Sequence, residues 1–303
     1  MEGELCHSYS PVGNSQTMSR RVLVTGVTGF IGPYVIDRLL QAGHTVIASS
    51  ANEEKARLRS WFPDVEYVRF DLSTVSSGDD YYDYFGRPDS MIHLAWEGLP
   101  NYKASFHLDE NLPRHQLLLG NLIRGGLKDL TVTGTCLEYG MQEGCLKEDG
   151  PIHPANPYAI AKTELYLFLQ QLQTESPFSL KWARLFYMYG KGQNPNSLFS
   201  QLDKALASHE PAFNMSGGQQ VRDYLPVETV ARYLTSLALQ QKLTGIVNCC
   251  SGQPVTVEQA VRDYLARNQQ HITLNLGYYA YPDYEPFRFW GDTSKLKTIL
   301  PNE

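Results

Sequence analysis

Three side chains that could move a proton are spaced so that a fold could bring them together. Tyr158 and Lys162 lie four residues apart, which places both on one face of a helix. A tyrosine is a poor acid–base group near neutral pH, and an adjacent ammonium lowers the pKa of its phenol. Thr135 follows a predicted strand at 130–133, so its hydroxyl is expected at the carboxyl edge of a parallel sheet, where open α/β sheets bind ligands. This set indicates acid–base chemistry on a bound ligand.

A glycine-rich turn, Gly26 to Gly32, could hold a phosphate-bearing cofactor. Gly26 permits the tight turn, Gly29 lets backbone amides approach a pyrophosphate, and Gly32 allows close helix–strand packing. The N-terminus of the following helix faces the negative charge with free N–H groups. The turn therefore predicts dinucleotide binding. The residues expected to contact the cofactor here are Gly26, Thr28, Gly29, Phe30, Ile31 and Gly32.

The end of the second predicted strand bears on which dinucleotide is bound. An NAD site usually has a carboxylate there for the ribose 2′-hydroxyl, and this chain has Ser49 and Ser50. Nothing at Ser50 repels a 2′-phosphate, so NADP is favoured, with NAD as the alternative. Basic side chains that could reach the phosphate are Lys55, Arg57 and Arg59. Asp71, followed by Leu72, suits a carboxylate that accepts from the adenine amine; the alternative is a helix cap.

Strands and helices must alternate to position these residues, and the hydrophobic pattern shows that they do. Strands are predicted near 21–25, 45–48, 65–70, 90–94, 130–133 and 180–185, and helices near 34–40, 111–124 and 158–173. This order predicts an α/β fold, a doubly wound parallel sheet (Rossmann) with a smaller C-terminal α/β substrate-binding lobe. The expected organisation is a disordered polar extension at 1–17, a dinucleotide-binding domain at 18–185 with a return of 225–250, and a substrate lobe at 186–224 and 251–303.

Composition excludes several classes of function. The 303 residues contain 26 Lys and Arg against 32 Asp and Glu, and this acidic balance argues against nucleic-acid binding. No apolar run approaches the roughly 18 residues that a membrane helix needs. Five scattered cysteines form neither a disulfide framework nor a metal-ligand spacing, so reduced thiols and a cytoplasmic location are expected, with no bound metal.

These motifs together resemble the extended short-chain dehydrogenase/reductase family, the nucleotide-sugar epimerases, dehydratases and reductases. The resemblance is carried by Gly26/Gly29/Gly32, Asp71, His93-Leu94-Ala95, Thr135 four residues before Tyr139-Gly140, Tyr158/Lys162, Arg184-Leu185-Phe186 with Tyr189-Gly190, and Gln220–Tyr224. It implies that Thr135 hydrogen-bonds the sugar oxygen, that Tyr158 is the acid–base group and that Lys162 assists it. Further residues expected at the site are Leu94 and Ala95 for the cofactor, and Trp96, Cys136, Tyr187, Asn196 and Ser197 for the substrate. Arg222 is implied to grip the substrate diphosphate, with Arg288 assisting, since a guanidinium suits a phosphate.

Catalytic residues that other members of the resembled family use are absent from this chain, and their absence excludes two types of reaction. The 4,6-dehydratases carry an Asp-Glu pair directly after the hydroxyl residue, where this chain has Cys136 and Leu137, so dehydration is not expected. Enzymes that epimerise C3 and C5 use a Cys two residues after the hydroxyl residue and a later His; Cys136 is one residue early, and 191–196 contains no His. Simple 4-keto reduction and 4-epimerisation remain. Epimerases usually hold NAD with an acidic residue at the second strand, and Ser50 argues mildly against that.

Three segments resemble the bacterial reductases of dTDP-4-keto-6-deoxyhexoses, of the dTDP-fucose-forming type: 93–102, 135–140 and 282–286. Two departures stand out, because Tyr187 replaces the family's usual Asn and Glu138 replaces its usual apolar residue. The expected function is NAD(P)H-dependent reduction of the C4 ketone of a nucleotide-linked 4-keto-6-deoxyhexose, with a dTDP sugar favoured, for surface polysaccharide synthesis. The alternative is an NAD-dependent 4-epimerase. A more distant one is a non-catalytic dinucleotide-sensing regulator, although such proteins often lose the Tyr or Lys.

The resemblance also implies a homodimer. Helices near 111–124 and 158–173 carry apolar residues at helical spacing and would pair across a two-fold axis as a four-helix bundle. These residues include Leu117, Leu118, Leu122, Leu165, Phe168 and Leu169. The alternative is that all of them belong to the interior core.

Overall fold

The computed structural model describes residues 19–283 and 285–300, and the extension predicted at 1–17 lies outside the described residues. The strands are β1 Arg21–Thr25, β2 Thr45–Ser50, β3 Glu66–Arg69, β4 Ser90–His93, β5 Asp129–Thr135, β6 Gly144–Leu146, β7 Ser179–Leu185, β8 Tyr187–Tyr189, β9 Ala212–Asn214, β10 Val221–Pro226, β11 Gly245–Cys249, β12 Pro254–Thr256, β13 Thr273–Asn275 and β14 Phe289–Gly291. The α-helices are α1 Gly32–Gln41, α2 Glu53–Arg57, α3 Tyr81–Tyr84, α4 Leu112–Gly125, α5 Pro157–Glu175, α6 Leu198–Ala207, α7 Val227–Leu239, α8 Val257–Arg267 and α9 Ser294–Lys297. Short 3₁₀ turns lie at Phe62–Asp64, Leu72–Thr74 and Cys136–Tyr139, and a π-helical turn lies at His107–Asn111.

A seven-stranded parallel sheet in the order β11-β7-β5-β4-β1-β2-β3 forms the centre of the fold. Strands β4 and β5 are buried along their whole length, as expected for the centre of a parallel sheet covered on both faces. The chain runs outward from β1 to β3 and then crosses back to β4 on the other side of β1. This reversal opens a crevice at the carboxyl ends of β1 and β4. The predicted doubly wound parallel sheet is confirmed.

Helices cover both faces of this sheet, each through one apolar stripe. On one face α1 and α7 contribute Val35, Ile36, Leu39, Val230 and Leu234 to the core. On the other, α4 and α5 contribute Leu118, Leu122, Leu165 and Leu169. Burial of such side chains stabilises each helix–sheet contact by about 1.5–3 kcal/mol per residue.

Beyond β7 the chain builds three small sheets and returns once to the large one. Strand β11 pairs in parallel with β7. The small sheets have the strand orders β12-β10-β8, β13-β9 and β14-β6. Strand β10 begins at Val221, after a turn at Gly218 that has a φ of 71°. The assignment of this region to substrate binding stays a prediction.

No helix in the described ranges has the length and apolar character needed to cross a membrane.

Candidate active site

A cleft of about 1210 Å³ runs along the carboxyl edge of the sheet. One end is lined by the glycine-rich turn, and the middle by the ends of β4 and β5 and the start of α5. Its lining also includes residues between 192 and 199, of which Gly192 lies near Phe30 of the turn, and Glu285. The cleft therefore joins the predicted phosphate-binding turn to Thr135, Tyr158 and Lys162, which all line it.

The glycine-rich turn can accept a pyrophosphate. Gly26 has a φ of 73°, and a Cβ there would lie 2.7 Å from the backbone nitrogen of Ala95. At Gly32 a Cβ would lie 2.4 Å from the carbonyl oxygen of Val27, so the helix can approach the strand only through glycine. The first turn of α1 has no capping side chain and no acidic residue, so its N–H groups point toward the cleft without a competing charge. These features fit a dinucleotide.

The other turn residues divide between the cleft and its wall. Gly29, Phe30 and Ile31 line the cleft, as does Leu94, whereas Thr28 is half-buried and outside the lining. Ala95 packs against Gly26 and also lies outside the lining.

At the end of β2, where the adenosine of a cofactor is expected, the side chains carry hydroxyl groups and no carboxylate. Ser50 is buried, and its hydroxyl lies 3.0 Å from the phenol of Tyr67. The Tyr67 phenol donates to the Ser50 carbonyl oxygen at 2.9 Å. Lys55 is exposed and lines the cleft, whereas the Arg57 guanidinium pairs with Glu53.

Asp71 acts as a helix cap in this structure. Its Oδ1 accepts from the backbone N–H of Ser73 at 2.9 Å and from the Ser73 hydroxyl at 2.7 Å. The two hydrogen bonds from Ser73 hold the pKa of Asp71 below its ordinary value. Neither Asp71 nor Leu72, which is buried, lines the cleft. Of the two interpretations of Asp71, the structure shows the cap.

Tyr158 stands at the start of α5 and faces the end of β5. Asn156 caps the helix by accepting from the N–H of Ala159 at 2.9 Å, and Pro157 occupies the first turn. The Tyr158 phenol lies near Thr135, whose hydroxyl partly opposes the rise that burial causes in the pKa of Tyr158. The Thr135 hydroxyl accepts from the N–H of Leu137 at 3.2 Å, which fixes its orientation. Tyr158 is therefore a protonated phenol beside a second hydroxyl, at one point of the cleft.

Lys162 lies beneath this pair. Its side chain is buried, and Nζ donates to the carbonyl oxygen of Thr133 at 2.9 Å. Nζ lies 4.0 Å from the centroid of the Trp96 ring and 6.0 Å from that of Tyr158. Burial lowers the pKa of Lys162 to about 7, against an opposing effect of the Glu138 carboxylate. The lysine can therefore gain or lose a proton near neutral pH.

Trp96, predicted to bind substrate, lines the cleft but also packs into the structure behind it. Its ring stacks on His115 at 4.4 Å and 7°, and its indole N–H donates to Nδ1 of His107 at 3.0 Å. His115 Nδ1 lies 2.7 Å from Nε2 of His93, and His93 Nδ1 lies 2.7 Å from the Thr25 hydroxyl. Sequence reasoning named His93 in a motif but missed the buried imidazoles of His107 and His115 that accompany it.

The predicted diphosphate-binding residues do not meet in the cleft. Arg222 is 2% exposed and outside the lining, and its Nε and Nη2 donate to Glu285 at 3.0 and 2.8 Å. Its Nη1 donates to the carbonyl oxygen of Phe287 at 3.1 Å. Arg288 is exposed and also outside the lining. The Arg222 guanidinium, which was expected to bind a phosphate, is therefore paired with the Glu285 carboxylate.

The remaining predicted substrate residues are brought to the cleft: Cys136, Tyr187, Asn196 and Ser197. Tyr187 donates its phenolic hydrogen to Glu285, and burial strongly raises the pKa of that phenol. Glu285 was missed as an individual residue, although the segment 282–286 was distinctive in the sequence.

Fold and site together define an enzyme of a dinucleotide-dependent class, in which a phosphate-binding turn and a Tyr–Lys pair share one cleft. Residues 22–250 match the NAD dependent epimerase/dehydratase family, and the chain belongs to that family of nucleotide-sugar epimerases, dehydratases and reductases.

Individual relatives cover most of the chain. The dTDP-6-deoxy-L-talose 4-dehydrogenase (NAD(+)) of Aggregatibacter actinomycetemcomitans is 28% identical over 271 residues, 89% of this chain and 98% of the relative. A UDP-glucose 4-epimerase of Azospirillum brasilense is 27% identical over 273 residues, 80% of this chain and 76% of the relative. The solved structure of MoeE5 in complex with UDP-glucuronic acid and NAD has a TM-score of 0.76 at 24% identity, with 92% of each chain covered, and supports the fold.

Proposed function

We propose that the protein reduces the C4 ketone of a nucleotide-linked 4-keto-6-deoxyhexose, with a dTDP sugar favoured. One observation carries the proposal. The Tyr158 phenol, the Thr135 hydroxyl and the Lys162 ammonium lie near one another and line one cleft, which also contains the glycine-rich turn. Two hydroxyls that converge on one point suit a carbonyl oxygen, which accepts a hydrogen bond from each.

The residues of the chain would divide the work around that oxygen. A bound reduced nicotinamide cofactor would supply the hydride, held by the turn at Gly26–Gly32. Thr135 polarises the ketone by hydrogen bonding, and Tyr158 delivers the proton as oxygen becomes negative. Lys162, as an ammonium, stabilises the phenolate that forms. Burial of all three side chains excludes water, which strengthens these electrostatic effects.

Two further features support reduction at C4. The talose 4-dehydrogenase relative is named for oxidation at C4 of a dTDP-6-deoxy sugar, and the reverse of such a reaction is reduction of a 4-ketone. Cys136 and Leu137 stand where dehydration would need an acid and a base, and burial raises the pKa of the Cys136 thiol far above neutrality.

We further propose that NADPH serves at least as well as NADH. Strand β2 ends at Ser50, whose hydroxyl lies 3.0 Å from the phenol of Tyr67 on β3, and no carboxylate stands at that position; the Lys55 ammonium lines the cleft. The talose 4-dehydrogenase relative is named for NAD(+), and MoeE5 binds NAD, so NADH remains the competing cofactor to be measured. A homodimer and a cytoplasmic location are further proposals, the latter from the cysteine pattern of the sequence.

A panel of 4-keto sugar nucleotides, incubated with the protein while the absorbance of NADPH or NADH is followed, tests the proposed function. Consumption of cofactor with a 4-keto-6-deoxyhexose supports it. The second candidate is a 4-epimerase, which the UDP-glucose 4-epimerase relative favours. An epimerase would interconvert two 4-hydroxy sugars with no net change in cofactor, and that result would replace the reductase assignment.

A further inference from the structure

A carboxylate is buried directly behind the proposed catalytic groups. Glu138 is 1% exposed and lies outside the lining of the cleft. Its Oε1 accepts from the backbone N–H of Thr135 at 2.8 Å, which closes a capping box over the turn at Cys136–Tyr139. Glu138 therefore cannot touch substrate, yet it holds the backbone of a residue that lines the cleft.

The fold is built to keep this carboxylate in place. Arg184 donates through Nε to Glu138 Oε2 at 2.7 Å, and the Trp182 indole donates to the two carboxylate oxygens at 3.0 and 3.2 Å. A Cβ at Gly134 would lie 2.5 Å from Glu138 Oε1 and 2.1 Å from Trp182 Nε1. Only glycine at 134 leaves room for the group, so the strand end and the carboxylate fit one another.

From this geometry we infer that Glu138 is a positioning residue, whose carboxylate fixes the backbone of Thr135 and supplies a negative charge toward the Lys162 ammonium. The inference rests on the proposed function, since it assigns Glu138 to the same site. A buried charge pair is weak evidence for stability by itself, because desolvation offsets much of the attraction. Besides its ion pair with Arg184, the Glu138 carboxylate accepts a hydrogen bond from the backbone of Thr135, and this bond gives the carboxylate a second role.

The charge environment of Lys162 makes the inference measurable. The other titratable side chains around its ammonium come from β4, the π-helical turn, α4 and its own helix: His93, His107, His115 and Tyr158. Burial lowers the pKa of each imidazole and raises that of the phenol, so all four are uncharged near neutral pH. Glu138 opposes the effect of burial on the pKa of Lys162. Removing its charge should therefore make Lys162 lose its proton at lower pH.

The Trp96 indole, 4.0 Å from Lys162 Nζ, provides a readout that does not need turnover. The Trp96 emission, obtained by subtracting the spectrum of the Trp96→Phe variant, is followed against pH. In the natural protein a transition near pH 7 is expected as the ammonium deprotonates. In Glu138→Gln the midpoint should fall by about one pH unit, the size expected for loss of a nearby opposite charge. No transition near pH 7 in the natural protein, or an unchanged midpoint in the variant, overturns the inference.

A double variant separates positioning from simple neutralisation of Arg184. Glu138→Gln leaves a buried guanidinium without its partner and lowers stability, whereas Glu138→Gln/Arg184→Met removes both charges. If Glu138 only neutralises Arg184, the double variant recovers both the melting temperature and the Trp96 midpoint. We expect recovery of the melting temperature alone. Trp182→Phe is the matched control, because it removes one donor to the same carboxylate and keeps the ion pair, so the midpoint should stay.

Turnover provides the final arm. With the 4-keto substrate, Glu138→Gln should lower kcat about tenfold with KM within about twofold, and should move the basic limb of the pH profile downward. A KM effect without a kcat effect would overturn the inference. If the natural protein reduces no 4-keto sugar, the proposed function fails, and the fluorescence titration still decides the placement of charge by Glu138.

Discussion

At the scale of single residues, the site combines the Tyr158 phenol, which stays protonated near neutral pH, with the Lys162 amine, which can lose its proton there. Burial raises the pKa of Tyr158, and burial lowers the pKa of Lys162 to about 7. A phenol in that state is ready to donate, and it needs a stabilised anion only at the moment of transfer. The lysine beneath it can supply that stabilisation while it carries its proton.

Replacing Tyr158 by Phe tests this division of roles. The change removes the acid and keeps the ring that packs at 5.8 Å against Trp96. We expect kcat to fall about 10²–10⁴-fold with cofactor still bound, and Thr135→Val to cost less, because it removes a polarising hydrogen bond rather than the proton source. Tyr166→Phe, on the same helix but outside the cleft, is the control. The mechanism predicts at least about a tenfold loss of kcat in Tyr158→Phe. A variant that retains more than about a third of the natural kcat would contradict it.

Lys55 decides the cofactor prediction. If its ammonium contacts a 2′-phosphate, Lys55→Ala should lower kcat/KM for NADPH by about tenfold, or about 1.4 kcal/mol, and leave NADH nearly unchanged. Arg57→Ala is the matched control, since the Arg57 guanidinium already pairs with Glu53. Steady-state kinetics with both cofactors measure the ratio. A natural preference for NADH of more than about tenfold would contradict the NADPH proposal itself.

We expect replacement of Arg222 to lower the stability of the fold more than the affinity for substrate. With Glu285 it forms a pair whose side chains are 3% and 11% exposed, so Arg222→Ala leaves a carboxylate with little access to water. Breaking such a pair costs about 3–5 kcal/mol, and Arg222→Ala/Glu285→Gln should recover most of it. Urea unfolding measures the free energy of unfolding of the single and the double variant. A raised KM for the sugar nucleotide with unchanged stability would instead favour the diphosphate contact that the resemblance implies.

At the scale of elements, a chain of buried hydrogen bonds links β1, β4 and α4 behind the cleft, through Thr25, His93 and His115. Burial lowers the pKa of His93 to about 3 and that of His115 well below its ordinary value. Both imidazoles are neutral in the folded protein, whereas in the unfolded chain they bind a proton below about pH 6.5.

This difference predicts acid sensitivity of a definite sign. Below about pH 6.5 the unfolded chain binds more protons, so each of these histidines removes stability as pH falls, by about 1.4 kcal/mol per pH unit, until its folded-state pKa is reached. His115→Gln should reduce the slope of unfolding free energy against pH by about one proton. His271→Gln, at an exposed position, is the control. An unchanged slope in His115→Gln would show that this imidazole is not held neutral.

The elements themselves were largely predictable, because strands buried on both faces, such as β1, tend to be apolar runs. Predicted strands such as 21–25 and 180–185 agree with β1 and β7 within one residue. The pairing of Arg222 with Glu285, 63 residues apart, could not be predicted, since it depends on how the small sheets pack. The capping role of Asp71 was one of two interpretations that the sequence left open, because a carboxylate after a strand can either cap a turn or face a ligand.

At the scale of the whole molecule, the cleft is bordered by distant parts of the chain. Lys103, in the loop after β4, lies 3.7 Å from Asp283, in the segment before β14, and both line the cleft. Tyr187 and Glu285 meet deeper in the same cleft. A ligand that spans the cleft would therefore touch both the large sheet and the small ones, which agrees with a long molecule such as a sugar nucleotide.

The outer surface of α4 and α5 carries the prediction of assembly. Four of the six apolar residues expected at a dimer interface, Leu118, Leu122, Leu165 and Leu169, are buried within the chain itself. A partner could still contact Leu117 and Phe168, which are half-buried, and Leu167, which is 52% exposed. An isologous four-helix contact would bring these side chains against their symmetry copies.

Leu167→Glu should then dissociate the dimer, because two like charges would meet at the two-fold interface, while the monomer keeps its fold. Leu58→Glu is the matched control, since Leu58 is 86% exposed and lies away from α4 and α5. Light scattering at micromolar concentration should give twice the chain mass for the natural protein and for Leu58→Glu, and the single mass for Leu167→Glu. A single mass for the natural protein would show that these helices serve the interior core alone, and that the cleft is complete within one chain.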